Sequence, residues 1–172
     1  MVISDKKLRG DRLVFYSQDV KRLDGELDGF LELSGARCAL LIDKEGHLVT
    51  RRGDAVQNSL ESISALIAGS FAATREMARL LGEEQFTTLF HQGSRDSIQI
   101  ALVGDRALFA MVFDQRTNLG LVRYYGVETT RRLAQILGEM SQRPTSSAPA
   151  GETSELASDF SESATAALDK LF

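Results

Sequence analysis

Residues 56–82, VQNSLESISALIAGSFAATREMARLLG, form the longest unbroken helical pattern in the sequence, and everything else must be assembled around them. Val56, Leu60, Ile63, Ile67 and Leu81, with Leu66 and Leu80 beside them, recur at three- and four-residue spacing, the period of one apolar stripe on a helix. A second set, Ser64, Ala65, Ala68, Gly69, Ala72 and Ala73, consists of small residues. Glycine inside a helix costs about 0.5–1 kcal/mol relative to alanine, so Gly69 needs a reason. Two readings stand at this point. One is an ordinary core helix with tolerant small positions. The other is a helix whose small residues let a second helix come close, a geometry best known from membranes but not dependent on lipid.

Upstream, Ser17 reads as the N-cap of a first helix that carries Val20, Leu23, Leu27, Phe30 and Leu31 on one face and stops at Ser34-Gly35. Two β-type runs follow, 38–42 and 47–51, joined by the turn Asp43-Lys44-Glu45-Gly46 as a hairpin. The first run is nearly all apolar, as for a central strand covered on both faces. The second alternates and ends in Arg51-Arg52-Gly53, as for an edge strand.

Downstream of Gly82 the period changes to two. Phe86, Thr88 and Phe90 alternate with Thr87, Leu89 and His91, and then SIQIALVG and ALFAMVFD are separated by the compact turn Gly104-Asp105-Arg106. This predicts a three-stranded meander with an edge strand at 86–90. Thr117-Asn118-Leu119-Gly120 opens a last helix with Leu121, Val122, Tyr125, Val127, Leu133, Ile136 and Leu137 as its apolar positions, although Gly126 favours a later start. The order is α-β-β-α-β-β-β-α, one α+β domain of three helices around a mostly antiparallel sheet.

The ends differ in composition. Residues 1–13 are polar, with Lys6, Lys7, Arg9 and Arg12, and read as a flexible lead-in to a domain over 14–141. Residues 142–158 are rich in Ser, Thr, Pro, Ala and Gly, a linker composition with little to bury. In 159–172, Phe160, Ala164, Leu168, Leu171 and Phe172 regain helical spacing. That segment is too short to be a stable helix alone and reads either as one that folds on a partner or as a frayed end.

Composition narrows the function classes. The chain has 172 residues, 43% hydrophobic and 26% charged, with a net charge of -4, which offers no electrostatic footprint for nucleic acid. A single cysteine, Cys38, excludes an internal disulfide framework and a multi-cysteine metal site. No window approaches the about 18 apolar residues of a membrane span, and the N-terminus lacks a signal-peptide core, so a cytosolic protein with no membrane contact is expected.

Enzyme motifs are missing: no GxxxxGK[ST] loop, no GxGxxG after a strand, no GxSxG elbow and no HExxH. His47 and His91 are placed at a hairpin turn and a strand end, Cys38 within an apolar strand, and Asp96, Asp105 and Asp114 at turns where aspartate caps backbone donors. No nucleophile, base and orienter can be grouped, and no cofactor or metal is expected. A ligand sensor is disfavoured because the inward strand positions Ile98, Ile100, Leu102, Leu108, Ala110 and Val112 are uniformly apolar. A protein-interaction module fits best, with the small-residue stripe, the edge strand and the terminal segment as its surfaces.

The run FHQGSRDSIQIALVGDRALFAMVFDQRTNLGLVR at 90–123, with the hairpin LLIDKEGHLV at 40–49 and the central helix, resembles the roadblock (dynein light-chain) family, and within it the MglB-like bacterial proteins, partners of the Ras-like polarity GTPase MglA. The resemblance covers 14–140 and rests on Asp43-Lys44-Glu45-Gly46, Gly82-Glu83, Phe90-His91-Gln92-Gly93, Asp96-Ser97, Val103-Gly104 and the stretch from Phe113-Asp114 to Arg123, held in register. It implies an α/β/α sandwich with a five-stranded sheet in the order 2-1-5-4-3, the first and last helices on one face and the long helix on the other.

It implies a homodimer too, with central helices and third strands meeting through Ala65, Ala68, Ala72, Phe86, Thr88 and Phe90. Partner contacts would come from Ser64, Ala65, Ala68, Gly69 and Ala72 on the helix pair, with its large apolar residues facing the sheet, and from Phe160, Leu168, Leu171 and Phe172 in the tail. The partner is a small Ras-like GTPase of the MglA type, docked one per dimer in bacterial cell polarity or motility. Activation would follow from holding the GTPase's own catalytic groups in register, because a symmetric dimer offers two copies of any arginine to one active site. Arg51, Arg52, Arg75, Arg95 and Arg116 are the arginines a donated-finger mechanism would draw on. Paralogues of this kind that serve as adaptors between polarity proteins give the alternative function.

Overall fold

The computed structural model describes residues 15–54 and 59–142. Val56, the lead-in, and the expected linker and terminal helix beyond Gln142, including Phe160, Leu168, Leu171 and Phe172, lie outside the described residues.

Five strands form one sheet: β1 (Cys38–Asp43), β2 (Leu48–Gly53), β3 (Thr88–Gln92), β4 (Ser97–Val103) and β5 (Ala107–Phe113). Their order is β2-β1-β5-β4-β3, and all four pairings are antiparallel. This is the topology the resemblance implies. The central strands β1 and β5 are apolar on both faces because both faces are covered. Ala39, Leu41, Phe109, Met111 and Phe113 point into one layer, whereas Cys38, Leu40, Ile42, Leu108, Ala110 and Val112 point into the other. The first layer is closed by helices α1 (Ser17–Ser34) and α3 (Leu119–Ser141), the second by α2 (Leu60–Leu81) alone.

In α1, Leu23, Leu27 and Phe30 are buried at four- and three-residue spacing, and Gly35 ends the helix at φ 68° with its N–H donating to the Leu31 carbonyl. Ser17 is the first helical residue and not the cap, because the extended Tyr16 already accepts from the Val20 N–H through its backbone carbonyl. In α3 the Asn118 side chain accepts from the Leu121 N–H, so the helix starts early and runs through Gly126. Gly126 does not break the helix. A Cβ at that position would stand 2.8 Å from Met111 Sδ, so the glycine is what lets α3 lie against β5. Leu121 and Val127, expected as core positions, are instead largely exposed, as is Tyr124.

Two strands begin later than the alternation suggests. β2 starts at Leu48 because His47 closes the turn: the Asp43 carboxylate accepts from the His47 N–H while the Asp43 N–H donates to the His47 carbonyl. β3 starts at Thr88, with Leu89 facing the α2 layer and Phe90 the α1/α3 layer, which leaves Phe86 in the connection. Among the described residues no helix is long and apolar enough to cross a membrane.

Candidate partner-binding surface

The buried residues of α2 are Ser64, Ile67, Ala68, Phe71, Thr74 and Ala78, with Leu60 and Ile63 partly covered. They lie on one stripe of the helix, and most are small, so the helix sits low on the sheet. The expected division of the helix is therefore corrected. Ser64 and Ala68 belong to the sheet-facing side, whereas Leu66, Leu80 and Leu81 do not. The apolar stripe continues from Ile67 to Phe71, Thr74 and Ala78 at helical spacing, and this carries it away from the leucine pair at the C-terminal end. Phe71, four residues after Ile67, was the signal for this line.

The small residues Ala65 and Ala68 do permit a close approach, but of a turn of the same chain. A Cβ on Gly46, which sits at φ 95° in the β1–β2 turn, would come 3.0 Å from Ala65 Cα and 3.4 Å from Ala68 Cβ. Ala72 and Arg75 line a neighbouring recess with Lys44 and Asp105 from the two hairpin turns at that end of the sheet. Gly69 is different. A Cβ there would meet nothing within 4 Å, so among the described residues nothing requires glycine at this point.

The outward side of α2 is an apolar ribbon. Leu66 is 70% exposed, Met77 49%, Leu80 73% and Leu81 72%. Gly69 and Ala73 stand between them, also exposed. Exposed leucines scattered singly need no explanation, but several on one helix face mark an interaction surface. Along one flank run Arg75, Glu76 and Arg79, of which Glu76 and Arg79 are paired with each other. That pairing lowers the Glu76 carboxyl from its usual range.

The second exposed feature is the edge of the sheet. Among the described residues β3 pairs only with β4, and Thr88, His91 and Gln92 are exposed. Phe90 is not free on that edge: it stacks on Phe113 with ring centroids 6.3 Å apart, under the Arg123 guanidinium at 5.8 Å. Of the residues expected at a dimer contact, Thr88 is on the open strand, Phe90 faces the α1/α3 layer, Phe86 precedes the strand, Ala65 and Ala72 lie on the turn-facing flank of α2, and Ala68 is buried.

The arginines fall on separate elements. Arg51 and Arg52 lie on β2, and Arg52 binds Asp28 of α1 at 2.7 Å. Arg95 and Arg116 flank a recess at one end of the sheet, where Arg37 bridges Asp96 at 2.6 Å and Asp114 at 3.7 Å. Hydrogen bonds from the Arg116 side chain and backbone hold the Asp114 carboxyl below its usual range. Of these five arginines, Arg75 is the one on α2, where Arg79 also stands. His47 Nδ1 is 3.0 Å from Asp43 Oδ2 on an exposed turn, and burial raises the Cys38 thiol. Cys38 is thus a small apolar residue of the core.

Residues 23–113 match the profile of the Roadblock/LC7 domain. No curated protein matches the chain in sequence. Among solved structures, the gliding protein MglB of Thermus thermophilus is 35% identical over 74% of this chain and 96% of its own, with a TM-score of 0.70. MglB of Myxococcus xanthus is 32% identical over 77% of this chain and 99% of its own, with a TM-score of 0.71. An MglB structure with a tetrameric arrangement is 34% identical over 74% and 96%, with a TM-score of 0.71.

Proposed function

Because the chain belongs to the Roadblock/LC7 family and is MglB-like within it, we propose that it is a homodimeric, non-catalytic activator of a small Ras-like GTPase of the MglA type. The observation that carries the proposal is the apolar ribbon Leu66, Met77, Leu80 and Leu81 on a helix with open space outside Gly69, together with a sheet whose β3 edge is open. Two copies related by a two-fold axis bury such a ribbon against itself and join β3 to β3, which yields a continuous sheet with a helix pair on top. The GTPase docks on that pair.

Activation in this reading comes from binding energy alone. The dimer binds the hydrolysis-competent arrangement of the GTPase more tightly than the resting one, and so shifts its population. None of the arginines enters the nucleotide site. The terminal segment 159–172, through Phe160, Leu168, Leu171 and Phe172, meets the GTPase at a separate place and affects nucleotide exchange. The protein acts in the cytoplasm, concentrated at a cell pole.

The test is GTP turnover by the cognate Ras-like GTPase with and without the full chain. Acceleration that saturates at one dimer per GTPase supports the activator. Binding without acceleration supports the adaptor reading instead. Arg75→Ala and Arg116→Ala are expected to leave the acceleration within about twofold, whereas loss of a donated arginine finger costs about a thousandfold or more.

A further inference from the structure

We propose that the cavity between α3 and the sheet is a binding site for a small aromatic carboxylate that carries a second polar atom at its far end. The cavity has a volume of about 480 Å³, within the range of small-molecule pockets, which is roughly 300–1,000 Å³. Gln99 and Met111 contribute from the sheet, and Arg123, Gly126, Val127 and Thr130 from α3. Its origin is local. Gly126 lowers the helix onto Met111, and beside that contact α3 offers only the short side chains of Val127 and Thr130.

Two buried polar oxygens at this place have no hydrogen-bond partner among the described residues. Gln99 is 3% exposed beside Ala101, Met111 and Phe113, and its Oε1 accepts no hydrogen bond among the described residues. In register it stands between Phe90 and Met111. Thr130 Oγ1 on the facing helix is buried and likewise unpaired. Leaving a buried amide unsatisfied is costly, and a methionine would fill the same space without that cost. A half-turn of the amide presents either its oxygen or its nitrogen to the cavity, so Gln99 can donate or accept.

Arg123 sets the charge of the ligand. Its guanidinium lies over Phe90 and is engaged by no ion pair among the described residues. An unneutralised cation beside apolar walls, with an amide and a hydroxyl deeper in, selects an anionic group at the arginine, a flat apolar body against Met111 and Val127, and a polar atom inside.

The site is tested without a GTPase. The full chain, labelled at its methionine methyls, is titrated with 4-hydroxyphenylacetate, with its neutral amide and with phenylacetate, while the Met111 resonance is followed. The expected result is a saturable shift at Met111 with no change at Met77 on the far helix. The neutral amide binds about tenfold more weakly than the acid. Arg123→Gln removes the preference for the acid over the amide. Gln99→Met weakens 4-hydroxyphenylacetate to the level of phenylacetate. The proposal is overturned if no probe shifts Met111 saturably up to millimolar concentration, as for a cavity that holds water only, or if Arg123→Gln binds acid and amide in the same ratio as the unaltered chain.

Discussion

Two glycines inside helices invert the usual expectation that a larger substitution does more harm. At Gly126 a single methyl would lie 2.8 Å from Met111 Sδ and 4.0 Å from Phe30 Cε2, in the closest part of the α3–sheet contact. Gly126→Ala is therefore expected to lower unfolding free energy by about 1–3 kcal/mol, the usual cost of overpacking, read from chemical denaturation. At Gly69 nothing lies within 4 Å, so Gly69→Arg leaves the protomer folded with an unchanged circular dichroism spectrum and acts only on what docks outside. Neither environment was legible in the sequence, where Gly126 looked like an obstacle to the helix. A glycine in a helical pattern signals that something is close or that something else will be, and only the coordinates distinguish these. Gln99 was equally hidden. It alternates within SIQIALVG as any outward polar residue of a strand would, and the α1/α3 layer that covers it comes from segments distant in the chain. Gln99→Met is expected to raise stability by about 1 kcal/mol in thermal melts, since it removes an unpaired buried amide at constant volume.

At the level of elements, the types and order of all helices and strands in 15–142 follow from periodicity and turn chemistry, and the misplacements have local causes. Ser17, His47 and Phe86 each fell on the wrong side of a boundary because backbone hydrogen bonds, not side-chain type, define where an element begins. The division of α2 into faces was harder to read. Its two apolar lines, one through Ile67 and Phe71 and one through Leu66, Met77 and Leu80, are both consistent with period 3.6, and only the aromatic Phe71 on the first line favours it as the one that meets the sheet. Charge pairing on the helices gives a pH prediction. Hydrogen bonds from Arg131 and Arg132 hold the Glu128 carboxyl at about 2, down from 4.5. A carboxyl depressed in the folded state adds stability that is complete above pH 4.5 and is lost as pH falls through 2. Glu128→Gln should flatten the acid limb of the stability curve in that window by lowering stability at neutral pH and leaving it unchanged below about pH 2, and the drop is small because the pair is exposed and screened.

Among the described residues each sheet face is covered by its own layer, and the outer ribbon of α2 and the open side of β3 stay uncovered. A fold that satisfies its own core and still presents Leu66, Leu80 and Leu81 at about seventy per cent exposure has placed apolar area where a second body is needed. The two features can be used together by one symmetric partner, a second copy of the chain, and this is why the small residues turned inward at Ser64 and Ala68 do not weaken the dimer reading: the ribbon that replaces them is larger and more apolar. The unaltered chain is therefore expected to sediment as a dimer at micromolar concentration, with a melting temperature that rises with concentration. The double variant Leu66→Glu, Leu80→Glu places two like charges on each ribbon and is expected to sediment as a folded monomer whose melting no longer depends on concentration. It should also lose binding to the GTPase, since the platform requires both helices. Removal of 143–172 should change neither the sedimentation nor the melting of the domain, and should alter only affinity or nucleotide exchange. A monomer for the unaltered chain would remove the platform and with it the activation mechanism, whereas a dimer that survives the double variant would move the two-fold contact to another face.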